Sequence, residues 1–153
     1  MSNDAATSRI PRSALLLGLA GLMPFLVCAA SQWLALPRLP PELGLRLGLA
    51  YGAIIQSFLG GIRWGTAIGP YGARRQALEF SMSVLGPIAG WVALFLPAVL
   101  GLSFLVAGFL MQGLWDVTSV EAGTLPQWFG RLRMILTCGA VLSLLAMLVK
   151  LFI

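Results

Sequence analysis

The sequence predicts an all-α membrane protein: a polytopic bundle of five transmembrane helices, N-terminus cytoplasmic and C-terminus periplasmic. Three observations predict it. Five apolar stretches, residues 13–36, 43–62, 80–96, 98–115 and 134–153, each approach the roughly 20 residues that carry a helix across hydrocarbon. The mean hydropathy of +0.92 excludes an ordinary soluble domain. Lys and Arg divide unevenly between the two sides of five crossings. Arg9, Arg12, Arg63, Arg74, Arg75, Arg131 and Arg133 fall on one side and Arg38, Arg46 and Lys150 on the other, which puts the N-terminus inside.

Ten Lys and Arg against five Asp and Glu give a net charge of +5. These cations flank lipid-soluble segments instead of gathering on one solvated face, so nucleic acid is not an expected partner. The chain has no histidine, which removes the commonest metal ligand, the usual haem ligand and the commonest general acid or base. No cofactor, metal site or enzymatic activity is expected. Cys28 and Cys138 sit inside apolar stretches without a Cys-x-x-Cys spacing and about 12 Å apart in depth, too far for a disulfide. They are expected to be free thiols acting as small buried hydrophobes.

Residues 1–12 form a polar tail and 13–153 a single transmembrane domain. The first apolar run is too long for a cleaved signal peptide, and Asp4 and the brevity of the tail argue against an organellar targeting segment. Pro37, Pro40 and Pro41 end the first helix; Pro24 and Pro87 fall inside the first and third, where neighbouring helices tolerate a kink. Gly69, Pro70, Tyr71, Gly72, Arg74 and Arg75 form the second connection. Pro97 and Gly101 bracket a tight turn, and residues 118–128 make the last loop.

The second helix carries Gly44, Gly48, Gly52 and Gly60, continued by Gly61 and Gly65. Glycines four apart clear a strip of helix surface so that another backbone can approach closely, either within the chain or in a homodimer. Gly86 and Gly90 form a weaker strip on the third helix. Gly52, Gln56, Gly60 and Arg63 fall within an arc of roughly 80°, so one face carries both glycines and polar groups. A guanidinium at that depth must snorkel, bind a headgroup or meet a carboxylate. Asp116, which follows Gln112 and Trp115 on the fourth helix, is expected at the same depth. Glu79, Arg131 and Arg133 reach the same boundary, with Trp64 beside Arg63. One reading makes these residues interfacial anchors, with Trp64, Trp115 and Trp128 as an aromatic belt. The other makes Gln56, Arg63, Trp64, Glu79, Gln112, Trp115, Asp116, Arg131 and Arg133 a cytoplasm-facing polar cluster.

The run from Tyr51 through Ser57-Phe58-Leu59-Gly60-Gly61-Ile62-Arg63-Trp64-Gly65, followed by Pro126, Trp128, Leu132-Arg133 and Leu136-Thr137, resembles the domain-of-unknown-function 3429 family of small integral membrane proteins, which includes transmembrane protein 69. The resemblance covers nearly the whole chain. It implies a five-helix protein of the bacterial inner membrane, or of mitochondria in eukaryotic relatives, and no established activity.

The expected function is therefore non-enzymatic, with the polar cluster engaging membrane lipid headgroups or a membrane-protein partner. The alternative is a small oligomeric transporter or channel for an unidentified solute. Few polar groups, Gln56 and Ser83 among them, lie near mid-depth to line a pathway. Intramembrane hydrolysis would need a nucleophile and base at matching depth, and Lys150 lies at the far end of the last helix.

Overall fold

A computed structural model of the chain describes residues 9–69 and 76–153. The described residues form the helices α1 (Arg12–Trp33), α2 (Pro41–Ile68), α3 (Gln76–Ala93), α4 (Ala98–Glu121) and α5 (Gln127–Lys150). Proline starts three of them. Pro40, Pro97 and Pro126 stand just outside α2, α4 and α5, where a fixed φ and a missing N–H cost nothing. Pro24 and Pro87 lie inside α1 and α3, as the sequence predicts.

The boundaries differ from the apolar runs in one consistent way. Four helices continue into polar sequence at the end where the N-terminus of α1 lies. α2 runs on to Ile68, α3 begins at Gln76, α4 runs on to Glu121, and α5 begins at Gln127. Hydropathy stops where the lipid-like composition stops, whereas backbone hydrogen bonding continues until a turn residue interrupts it. The last loop accordingly shrinks to a short turn in which Gly123 adopts φ +73°. The turn between α3 and α4 lies at residues 94–97, and Gly101 is inside α4 instead of bracketing that turn. The predicted connection through Pro70, Tyr71, Gly72, Arg74 and Arg75 lies outside the described residues.

The helices alternate in direction. Tyr51 Oη donates a 2.7 Å hydrogen bond to the Gly21 carbonyl, and Gln32 Nε2 donates to the Pro41 carbonyl at 2.9 Å, so α1 and α2 run antiparallel. Trp33 Nε1 reaches the Ala146 carbonyl at 3.2 Å, and Lys150 Nζ lies 5.1 Å from the Trp33 ring, so α1 and α5 end together. The core between them holds Phe25, Leu102, Leu105, Phe109, Leu144 and Met147. Phe25 is its pivot, with edge-on rings of Tyr51 and Phe109 at 5.0 and 5.7 Å.

Much of the outer surface is apolar as well. Leu17, Ile54, Phe58, Phe95, Met111, Leu114 and Leu142 are all more than three-fifths exposed, an arrangement that water would penalise and hydrocarbon accepts. Helices α1, α2, α4 and α5 are long and apolar enough to cross a membrane. α3 is shorter, 18 residues, and carries Gln76 and Glu79 in its first turn.

Glycines set the closest approaches. A Cβ at Gly60 would stand 2.3 Å from the Ser83 carbonyl oxygen and 2.8 Å from Pro87 Cδ, and one at Gly90 would stand 3.0 Å from the Ala53 backbone. Gly44 faces Ser31, Gly48 faces Met147 and Cys28, Gly52 faces Leu105, and Gly86 faces Gln112. Gly61 and Gly65 depart from the expected strip, since a Cβ there would meet nothing within 4 Å among the described residues. Both lie off the face that α3 covers, because one residue from Gly60 turns the helix by about 100° and five residues by about 140°. Cys28 and Cys138 are free, but only Cys28 is buried; Cys138 is exposed, a correction to its expected place inside the core.

Candidate functional site

Alternating helix directions bring the end of α2, the start of α3, the last turns of α4 and the start of α5 to one end of the bundle. Arg63 leaves α2 there. Its Nη2 meets Asp116 Oδ1 on α4, and its Nη1 donates to Ser119 Oγ at 2.9 Å and reaches Glu79 Oε2 on α3 at 3.4 Å. The second oxygen of Asp116, Oδ2, lies 2.7 Å from Arg133 Nε on α5. One carboxylate thus joins guanidiniums from two different helices. Trp115 closes the cluster by donating from Nε1 to Glu79 Oε1 at 3.3 Å, with its ring 5.4 Å from the Arg63 guanidinium carbon.

These charges are buried within the protein. Arg63, Asp116 and Arg133 are each no more than 5% exposed. Formally the two arginines are balanced by Asp116 and Glu79, whose attraction offsets part of the desolvation cost of burying charge. Hydrogen bonding is less complete. A guanidinium offers five N–H donors, and Arg133 Nη2 is buried with no hydrogen-bond partner among the described residues. Arg133 Nε is close to Asp116 but poorly aimed for a hydrogen bond.

Two apolar clefts run inward beside the cluster. Between α1, α2 and α5, a cleft of about 270 Å³ is lined by Leu17, Gly18, Phe58 and Leu136, with Arg133 on its wall. A neighbouring cleft of about 310 Å³ continues it past Trp128 and Phe129, again with Arg133 on its wall. On the opposite side, between α2, α3 and α4, a cavity of about 210 Å³ has Arg63, Trp115, Gln56 and Gln112 on its wall.

Of the nine residues predicted for the cluster, Arg63, Glu79, Trp115, Asp116 and Arg133 do come together. Gln56 and Gln112 lie deeper, where Gln112 Nε2 is 3.5 Å from the Gln56 carbonyl. Trp64 does not join: it is half-exposed and packs edge-on against Phe80 at 4.8 Å. One residue of helix rotation carries it away from the face of Arg63. Arg131 is exposed, two residues from Arg133 and on the other side of α5. Ser119 is the member that the sequence reading missed. It lies one turn beyond Trp115, where the apolar run ends. Among the described residues no group of three or more His, Cys, Asp or Glu is placed to hold a metal.

A family model described as protein of unknown function (DUF3429) matches residues 10–149. Transmembrane protein 69 of Xenopus tropicalis is 39% identical over 143 residues, covering 92% of this chain and 55% of that protein. The chain therefore spans about half the length of this relative. No solved structure matches it. With a match that takes in every member of the charge cluster and all five helices, the chain belongs to the DUF3429 family of membrane proteins.

Proposed function

We propose that this is a non-enzymatic protein of the bacterial inner membrane that crosses the bilayer five times, N-terminus inside, and holds an anionic lipid headgroup at the Arg133 end of the bundle. The carrying observation is the buried, unpartnered Nη2 of Arg133 on the wall of a cleft otherwise lined by apolar side chains. A cation at the head of a greasy groove is chemically matched to an amphiphile with an anionic head and an acyl tail. Arg9, Arg12 and Arg131, all at the same end, add a positive rim worth about 1 kcal/mol per residue toward an anionic leaflet. α3 belongs to the proposed crossings because Gly60 and Gly90 seat it against α2 from Ser83 to Gly90.

Native mass spectrometry of the purified protein, titrated with phosphatidylglycerol and with phosphatidylcholine, tests the reading. Wild type should retain phosphatidylglycerol preferentially, Arg133→Gln should lose that preference, and Arg46→Gln at the opposite end should keep it. Equal retention of both lipids by wild type would contradict the proposal.

A second reading, transport of a small solute by an oligomer, draws support from buried oxygens on Gln56, Gln112 and Thr137 that have no partner among the described residues. Gln56 stands seven residues before Arg63, about 10 Å deeper in the bundle. Flux into liposomes that Gln56→Ala abolishes would favour it.

A further inference from the structure

The cavity between α2, α3 and α4 differs in chemistry from the Arg133 clefts. Two uncharged amides are built into it. Gln56 is 1% exposed, and among the described residues its Oε1 has no hydrogen-bond partner; Gln112 Oε1 is likewise buried and unpartnered. Both side chains fit only because glycine faces them. A Cβ at Gly108 would stand 1.8 Å from Gln56 Nε2, and one at Gly86 would stand 2.2 Å from Gln112 Nε2. Two helices thus give up side chains to seat polar groups whose oxygens then go unused. A buried acceptor left without a donor is destabilising, and a bound donor would relieve it.

Around the amides the wall is apolar, with Met82, Leu85, Phe104 and Met111, while Arg63 and Trp115 close the end nearest the charge cluster. At about 210 Å³ the space is smaller than the roughly 300–1,000 Å³ of pockets that enclose a whole drug-sized molecule. It suits a compact head whose tail leaves along the exposed faces of Leu85 and Phe104. Arg63 is already committed to Asp116, Glu79 and Ser119, so the cavity offers no unmatched positive charge for an anion.

We infer that this cavity binds the head of an uncharged, hydroxyl-bearing lipid, through the Gln56 and Gln112 amides. A hydroxyl suits the site because it donates to an amide oxygen and accepts from an amide or guanidinium N–H at the same time. The site is separate from the Arg133 cleft and stands without it.

The full chain in phosphatidylcholine nanodiscs, photolabelled with a monoacylglycerol carrying a diazirine in its acyl chain, tests this inference. Adducts mapped by peptide mass spectrometry should concentrate on Met82, Leu85, Phe104 and Met111, and unlabelled monooleoylglycerol should displace them. Gln56→Leu and Gln112→Leu should each reduce labelling about two- to tenfold, the effect of one lost hydrogen bond. Ala107→Phe, which fills the cavity mouth from an exposed position, should also abolish it in a chain whose core is untouched. Arg133→Gln should leave it intact, although the same variant loses the anionic-lipid preference. Adducts spread evenly over Leu16, Leu17 and Leu142, labelling unchanged by the Gln and Ala107 variants, or displacement by phosphatidic acid as readily as by monooleoylglycerol would each overturn it.

Discussion

Asp116 serves two guanidiniums at once, one carboxylate oxygen to Arg63 and the other to Arg133, in a setting where neither cation reaches water. Removing it leaves two buried positive charges facing each other. Asp116→Asn should therefore cost about 3–5 kcal/mol, read as a loss of thermal stability in detergent. Ser119→Ala removes one neutral partner of Arg63 and should cost about 1 kcal/mol in the same measurement. A combined Arg63→Met, Glu79→Gln, Asp116→Leu, Arg133→Met variant should regain most of the stability lost by Asp116→Asn, since uncharged residues of similar volume replace the whole charged set. If the cluster serves binding, that stable quadruple variant should still fail to retain phosphatidylglycerol. Stability and lipid retention recovering together would make the cluster purely a helix clamp.

At the scale of the helices, α2 is the element that the others read. Its glycine face meets α1 at Gly44, α5 at Gly48, α4 at Gly52 and α3 at Gly60, while its opposite face points outward. Neighbouring glycines should consequently respond in opposite ways. Gly60→Ala drives a methyl to within 2.3 Å of a backbone oxygen and should destabilise by about 1–3 kcal/mol, whereas Gly61→Ala meets no described residue within 4 Å and should be neutral or slightly stabilising. Paired thermal melts of the two variants check this. Much of this arrangement was legible in the sequence, because the 100° turn places Gly52, Gln56, Gly60 and Arg63 on one face. The partners were harder to read. Trp64 follows Arg63 in the chain but points elsewhere, and Ser119 was hidden because the apolar run ends before the helix does. The unfilled hydrogen bonds of Gln56 and Gln112 have no signature in one dimension; they arise from where Gly86 and Gly108 let two amides lie.

For the molecule as a whole, one end of the bundle is chemically unlike the other. The end carrying the starts of α1, α3 and α5 holds the buried ion-pair cluster and its rim of arginines, whereas the opposite end closes with Gln32 on Pro41 and Trp33 beside Lys150. That polarity has meaning in a membrane only if the five helices are five crossings, so that every member of the cluster emerges at the same face. α3 is the decisive element, because four passes without it would return both chain ends to one compartment. The direct measurement is compartment-specific thiol labelling in a Cys28→Ala, Cys138→Ala background, with single cysteines placed at Arg9, Thr124 and Ile153. Labelling of positions 9 and 124 from the cytoplasmic side and of 153 from the opposite side is the predicted result. Labelling of positions 9 and 153 from the same side would contradict the account.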